Sequence, residues 1–215
     1  MTTQIIPAIL TDDSQQAKDY LLEVADFAEW VQIDVMDGLF VPQESFELAD
    51  LIGLPEIEKV SLEADLMVQR PQDYLEICQK VGFKRVYFHL ESDVNVEQMI
   101  NSLDRMKVEK GIALNPDTPV RKLKPYLDKI DAVLLLGVTP GSQGQKFKNK
   151  TLRRVKKVRV MSENIKIEVD GGVNMGNAKE IVERGVDYLA VGSAIFAQGE
   201  AEDNFDNLKS LTSNI

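Results

Sequence analysis

Short apolar runs alternate with helix-like segments along the whole chain. In residues 30–38 (WVQIDVMDG), aliphatic side chains alternate with Gln32 and Asp34, which is the period-two pattern of a strand with a buried face. A carboxylate in such a strand is costly unless another group pairs with it or binds it. Similar runs predict eight β-strands, over residues 4–10, 30–36, 59–68, 85–90, 110–115, 132–138, 166–169 and 188–191.

Polar turns and helical periodicity fill the intervals between these strands. Polar residues end at Ser14, where a helix is expected to begin, and Pro71 and Pro119 suit a first helical turn because that turn needs no N–H from them. The predicted helices cover residues 14–28, 46–52, 71–80, 94–106, a segment from Pro119, 146–161, 174–184 and 200–211.

This alternation predicts the fold class. Eight strand–helix units without a linker or low-complexity tract favour an α/β fold, a single eight-stranded parallel (β/α)₈ TIM barrel over residues 1–215. A doubly wound open sheet is the alternative, but such sheets usually have fewer units. The chain has 215 residues, of which 44% are hydrophobic and 28% charged, so it is long and apolar enough for one globular core.

The amino-acid composition limits the cellular compartments and the classes of binding partner that we expect for this chain. No apolar run is long enough for a transmembrane helix, and the N-terminal residues do not read as a secretion signal. The single Cys78 excludes an intramolecular disulfide and fits a reducing compartment, so we expect a cytoplasmic protein. A net charge of −10 argues against binding to nucleic acid or an anionic membrane. It still allows a small phosphorylated ligand, because backbone amides bind phosphate without Lys or Arg.

Polar residues recur where predicted strands end. They are Gln32 and Asp34, Glu63 and Asp65, Asn115, and Asp170. In a (β/α)₈ barrel the active site lies at the carboxyl ends of the strands, where inward carboxylates would meet. Carboxylates about 4 Å apart repel by roughly 4 kcal/mol per pair at an effective dielectric near 20, so either a cation sits among them or one is protonated. In the alternative reading they point to solvent at the rim.

Glycine-rich turns follow the last three predicted strands. Glycine lets the backbone approach a phosphate closely, and barrels commonly bind phosphate with these loops. The sequence therefore predicts a phosphate site in the last loops. Its candidate residues are Gly141, Ser142, Gln143, Gly144, Gly171, Gly172, Gly192 and Ser193.

Eight segments carry a family resemblance: IPAILTDD, VQIDVMDGLFVP, LEADLMV, FHLES, GIALNPDTP, GVTPGSQGQKF, IEVDGGVN and VGSAIF. In these segments the chain resembles the ribulose-phosphate 3-epimerase family along nearly its whole length. The resemblance implies a (β/α)₈ barrel and an isomerase of carbohydrate metabolism in the pentose phosphate pathway. Such an enzyme interconverts D-ribulose 5-phosphate and D-xylulose 5-phosphate with a divalent metal. It also implies a homo-oligomer.

The resemblance further implies residue roles. Asp34 and Asp170 match two carboxylates that ligate the metal and act as acid and base on opposite faces of C3. The glycine-rich loops match the phosphate grip, and Met36 and Met67 match methionines that line the reacting carbon. Ala8 stands where the family usually has a serine.

Departures from the family pattern concern the metal. Two further family ligands are histidines, and Gln32 and Asp65 hold their positions. The ligand set would then be all oxygen, which favours Mg²⁺ or Mn²⁺ over Zn²⁺ or Fe²⁺. The only histidine, His89, matches a family histidine that is not a ligand, and we interpret it as structural.

Two other functions stay open at this point. The same barrel could epimerise another phosphosugar, such as a ketohexose 6-phosphate. Alternatively, a catalytically silent barrel could bind a sugar phosphate or a protein partner; the retained Asp34 and Asp170 speak against silence, and the lost histidines speak for it. A related decarboxylase or hexulose-phosphate synthase would need a lysine between strand-end aspartates, and strand two offers none.

Overall fold

Eight parallel strands close into a barrel in which each strand pairs with its neighbours in chain order. The computed structural model describes residues 3–141 and 144–213. It confirms the α/β class and the (β/α)₈ TIM barrel, while the extent of the domain over 1–215 stays a prediction. The strands are β1 (Gln4–Ile9), β2 (Trp30–Met36), β3 (Ser61–Met67), β4 (Arg85–His89), β5 (Glu109–Leu114), β6 (Ala132–Leu136), β7 (Lys166–Asp170) and β8 (Tyr188–Val191).

Helices cover the outside of the barrel. Two of them begin where a side chain satisfies free amides: Asp13 accepts from the N–H groups of Gln15 and Gln16, and Asn95 accepts from that of Gln98. The helices are α1 (Ser14–Val24), α2 (Leu75–Val81), α3 (Val96–Met106), α4 (Lys150–Met161), α5 (Ala178–Val182), α6 (Ser193–Phe196) and α7 (Ala201–Thr212). None of the helices in the described part of the chain combines the length and apolar character that crossing a membrane requires.

Two predicted helices are 3₁₀ turns instead. The segment predicted as a helix over 46–52 forms only Leu48–Leu51, and the helix predicted from Pro119 forms only Val120–Leu123. In each case a proline lies four residues after a carbonyl that would accept the next α-helical hydrogen bond. Pro55 has no N–H for the Leu51 carbonyl, and Pro125 has none for that of Arg121. Further 3₁₀ turns are Pro55–Glu58 and Pro71–Tyr74.

The two faces of each strand enter different surroundings. On β2, Val31, Ile33 and Val35 pack outward in the main apolar core under the helices. Gln32 and Asp34 therefore point into the barrel, as the alternation predicts. The register pairs Asp34 of β2 with Asp65 of β3, so two inward carboxylates stand side by side.

Only part of the barrel interior is apolar. Tyr87 packs there with Ala113, Leu134 and Leu136. Gly111 makes room for the Tyr87 ring, since a Cβ at that position would lie 2.0 Å from its Cδ1. Strands β2, β3 and β7 instead place charged and polar side chains in the interior, which is unusual because barrel interiors are normally built from branched aliphatic residues.

Candidate active site

Three carboxylates meet at the carboxyl ends of β2, β3 and β7. One oxygen from each of Asp34, Asp65 and Asp170 lies within 4.8 Å of the others. Asp65 is fully buried, and Asp34 and Asp170 are 5% and 9% exposed, so the solvent-facing alternative is excluded. The strand-end pattern therefore identified residues that do meet in the folded chain.

Crowding changes the proton affinity of these groups. Burial, followed by the charges of Asp170 and Asp65, raises the pKa of Asp34 well above its ordinary value. Burial, followed by the charges of Asp65 and Glu168, raises the pKa of Asp170 to about 8. Without a compensating cation, this cluster therefore retains protons at neutral pH.

Gln32 completes the cluster from below. Its Nε2 donates a 2.7 Å hydrogen bond to Asp34 Oδ1, and the side chain is fully buried. The Gln32 Oε1 and Asp65 Oδ2 atoms are both buried and have no hydrogen-bond partner among the described residues. An unpaired buried acceptor costs about 1–3 kcal/mol, so these oxygens mark a place where a ligand would be stabilised.

His89 contacts the cluster directly without joining it. Its Nε2 lies 3.2 Å from Asp65 Oδ1, and its Nδ1 lies 3.5 Å from Glu91 Oε2. Burial opposes protonation of the imidazole, but the Asp65 and Glu91 carboxylates outweigh it and raise the pKa of His89 to about 9. The imidazolium thus lies between two carboxylates and carries a positive charge. The sequence predicted a structural role for His89 but not this contact with a cluster carboxylate.

A second polar layer lies beneath the cluster, and the sequence interpretation missed it. Arg85 Nη1 donates to Glu63 Oε2 at 2.6 Å, and its guanidinium lies between the rings of Trp30 and Tyr188, 4.3 and 4.4 Å from their centroids. Glu168 lies 3.7 Å from the same Arg85 nitrogen. The cation–π contacts and the ion pairs together hold one buried positive charge among carboxylates.

Period-two alternation could have revealed this layer. Glu63 and Glu168 each lie two residues before a cluster aspartate, on the same inward face. Tyr87 lies two residues before His89, and its hydroxyl donates a 2.6 Å hydrogen bond to Glu168 Oε2. The layer fixes the strands below the cluster and therefore supports the positions of the carboxylates above it.

A cavity opens above the carboxylates and is lined by the predicted loops. Its floor includes Asp34 and Asp170, with Ala8 and Met67 at the sides. Met36 packs beside Met67 in a small apolar cluster with Val41. Ser142 and Gln143 lie outside the described residues. The other predicted phosphate-site residues all line the cavity: Gly141, Gly144, Gly171, Gly172, Gly192 and Ser193.

The loop after β7 depends on two consecutive glycines. Gly171 and Gly172 have φ angles of +92° and +73°, a region that other residues rarely adopt. A Cβ on Gly172 would lie 2.8 Å from the backbone nitrogen of Phe147, so the two cavity loops pack with their backbones in contact. No Lys or Arg is among the described residues that line the cavity.

Comparison with known sequences gives a consistent result. A model of the ribulose-phosphate 3-epimerase family matches residues 4–196. The ribulose-phosphate 3-epimerase of Bacillus subtilis (strain 168) is 31% identical over 212 residues, covering 96% of this chain and 98% of that protein. The ribulose-phosphate 3-epimerase of Buchnera aphidicola is 36% identical over 176 residues, covering 79% of this chain and 77% of its own.

Solved structures with a similar backbone show the fold alone. KGPDC from Streptococcus mutans superposes with a TM-score of 0.75 at 14% identity, covering 99% of this chain and 98% of that one. The 3-hexulose-6-phosphate synthase from Salmonella typhimurium has a TM-score of 0.76 at 15% identity, with 98% of both chains covered.

Proposed function

The chain belongs to the ribulose-phosphate 3-epimerase family, and from this premise we propose how it acts as a pentose-phosphate 3-epimerase. The substrates are D-ribulose 5-phosphate and D-xylulose 5-phosphate. The observation that carries the mechanism is the shared position of Asp34 and Asp170, which come from β2 and β7 and meet on the floor of one cavity. Strands β8 and β1 separate these two strands, so the carboxylates approach the cavity from different directions.

Inversion at C3 needs one group on each side of the carbon. The C3 proton is acidified by the neighbouring carbonyl, and one carboxylate removes it while the other returns a proton from the opposite face. A general base works best when its pKa lies near the working pH. Burial and the neighbouring carboxylates raise the pKa values of Asp34 and Asp170 in the metal-free cluster, and a bound cation would offset that rise. Their position supports the two roles, because both carboxylates line one cavity.

The donor set fits a divalent cation. The unpaired Gln32 Oε1 and Asp65 Oδ2, together with the crowded carboxylates of Asp34 and Asp170, offer four oxygen-bearing side chains with excess negative charge. We assign these four residues as the metal ligands. Oxygen donors favour Mg²⁺ or Mn²⁺ over Zn²⁺ or Fe²⁺. When bound, the ion would polarise the substrate carbonyl and stabilise the negative charge that develops on its oxygen.

The remaining cavity residues would bind the phosphate and exclude water. The backbone N–H groups of Gly171, Gly172, Gly192 and Ser193 would hold the phosphate, since no described cation lines the cavity. Gly141 and Gly144 would close the same site. Met67, backed by Met36, would keep water from the reacting carbon.

Proton exchange tests this assignment. The purified protein is incubated with ribulose 5-phosphate in D₂O, with and without Mn²⁺, and C3 deuteration and xylulose 5-phosphate are followed by NMR. Asp34→Asn and Asp170→Asn should each reduce epimerisation by at least about 10³-fold while the circular dichroism spectrum is unchanged. Asp203→Asn, an exposed change on α7, is the matched control. Exchange at the wild-type rate in either cluster variant would refute the two-carboxylate mechanism.

The alternatives are distinguished by the same assay. Ala8 lines the cavity, at a position where the family resemblance implies a serine, so a ketohexose 6-phosphate is tested beside ribulose 5-phosphate. Faster turnover of the hexose would reassign the substrate, and no exchange with either sugar would indicate a silent barrel. Cytoplasmic localisation and homo-oligomeric assembly stay predictions, to be tested by cell fractionation and analytical ultracentrifugation.

A further inference from the structure

Positive charge is concentrated in one stretch of this acidic chain. Residues 132–162 contain eight Lys or Arg and no Asp or Glu, while the rest of the chain has 17 basic and 35 acidic residues. The stretch contains β6, the loop that follows it and α4. It therefore places a strongly basic segment beside the cavity of a protein whose net charge is −10.

The basic side chains form one wall of a surface groove. The groove has a volume of about 420 Å³ and lies between α4 and the segment from Pro116 to Arg121. Arg153 and Lys157 line it from α4, and Arg121 lines it from the other side. We call it the basic groove. These three side chains are exposed, and within the described ranges none of them pairs with a carboxylate.

Hydrogen bonds connect the basic groove and the segment before α4 to the strand ends beside the cavity. The N–H of Lys148 donates to the Gly137 carbonyl at 2.7 Å, and its Nζ donates to Thr139 Oγ1 at 2.6 Å. Arg154, which also lines the groove, donates to the carbonyls of Leu136 and Asn115 at the ends of β6 and β5. The groove and the cavity thus share the same edge of the barrel.

The proposed substrate needs such a surface. A sugar phosphate dianion approaches a protein of net charge −10 and a cavity that two carboxylates, Asp34 and Asp170, line. No Lys or Arg among the described residues lines that cavity. We propose that the basic groove attracts the phosphorylated substrate by long-range electrostatics and guides it to the cavity, a role that rests on the proposed function. Such steering raises association rates by 10- to 10³-fold and weakens as salt shortens the range of the field.

A charge-reversal pair tests the basic groove. The variant Arg153→Glu/Lys157→Glu lowers the net charge by four. The control Lys84→Glu/Arg105→Glu makes the same change with exposed residues, one just before β4 and one in the last turn of α3, at the opposite end of the barrel. Circular dichroism and thermal unfolding establish that both variants fold.

The ionic-strength dependence decides the result. For wild type and control, kcat/KM with ribulose 5-phosphate should fall as ionic strength rises from about 10 mM to 500 mM. For the groove variant, kcat/KM at low salt should be about tenfold lower, with a flat salt dependence, while kcat changes little. A wild-type slope in the groove variant, or an equal loss in the control, would overturn the proposal.

Binding separates this proposal from the enzymatic one. Phosphorus NMR titration with ribulose 5-phosphate measures binding whether or not the sugar is epimerised. It is carried out over the same salt range and with the same variants. If wild type binds the sugar phosphate but does not epimerise it, the proposed activity fails while the groove is still judged by the salt dependence of binding. If wild type neither binds nor turns over ribulose 5-phosphate, both proposals fail.

Discussion

His89 Nε2 lies 3.2 Å from Asp65 Oδ1, and both side chains are fully buried. The imidazole therefore supports the carboxylate of Asp65, at a position where the family resemblance implies a histidine ligand. Because Asp65 adds a negative charge at that position, the neighbouring His89 compensates it from within the same wall of the barrel.

Removing the imidazole should destabilise the protein through Asp65. His89→Phe leaves a buried carboxylate unpaired, and breaking such a pair costs about 3–5 kcal/mol. Urea unfolding measures the change in free energy. On an Asp65→Asn background the same substitution should cost much less, so a double-mutant cycle isolates the pair. Equal costs on both backgrounds would show that His89 acts only through packing.

The metal-free protein should lose stability as pH rises. The folded pKa values of Asp170 and His89 are raised to about 8 and about 9, so the folded state binds protons more tightly than the unfolded state. For Asp170 the stabilisation by a proton is lost between about pH 4 and 8, and for His89 between about pH 6.5 and 9. Urea unfolding from pH 5 to 9 should show a falling free energy.

Substitution separates the two titrating groups. Asp170→Asn should flatten the acidic part of the profile, and His89→Asn the alkaline part. A profile that rises with pH over the whole range in the metal-free protein would contradict the sign of both shifts.

Divalent cations should stabilise the protein and replace the retained protons. At one hundred times its dissociation constant, an ion that binds only the folded state adds about 2.7 kcal/mol. Mn²⁺ should therefore raise the unfolding temperature and reduce the pH dependence, and Asp65→Asn should weaken this response. Asp203→Asn serves as the exposed control. Tighter binding of Zn²⁺ together with full activity would refute the preference for Mg²⁺ or Mn²⁺.

Gly172→Ala should impair substrate binding more than the same substitution at a glycine in a turn away from the cavity. The φ of Gly172 is +73°, and a Cβ added there would lie 2.8 Å from the Phe147 nitrogen, so the substitution would force the two cavity loops apart. Gly82 is the matched control, because its φ is +94° and an added Cβ would meet nothing within 4 Å. We expect KM to rise severalfold for Gly172→Ala only, while both variants lose about 1 kcal/mol or more of stability.

Arg85→Met tests the buried layer below the cluster. The substitution leaves Glu63 and Glu168 without their cation, at a cost of about 3–5 kcal/mol in urea unfolding. Adding Glu63→Gln should recover part of that loss, because one uncompensated charge disappears. Equal losses in the single and double variants would mean that Arg85 contributes mainly by stacking between Trp30 and Tyr188.

The sequence predicted most of what depends on local pattern. The β8 bounds agree with the structure, and the meeting of Asp34, Asp65 and Asp170 followed from the rule that parallel strands end at one edge. Helix bounds were less accurate. The helix predicted over 146–161 begins at Lys150, because the residues before it form a loop whose Lys148 bonds to Gly137 and Thr139.

The sequence could not predict contacts that depend on strand register. His89 reaches Asp65 because β3 and β4 align Asp65 with Tyr87, which leaves His89 one inward position further along. Alternation places Glu63 and Glu168 on the inward face, but their contacts with Arg85 form only when the barrel closes. Pairing partners that are 22 or more residues apart leave no local signal.

Gly111 and Tyr87 constrain each other across neighbouring strands. The aromatic ring occupies the volume that any β-carbon at 111 would need, and its hydroxyl ties the strand to Glu168. A larger residue at position 111 therefore requires a smaller residue at position 87. That exchange would remove the hydrogen bond from Tyr87 to Glu168 on β7. In a library that varies positions 87 and 111 together, folded variants should pair a large residue at one position with a small residue at the other. Combinations of two large residues should be depleted.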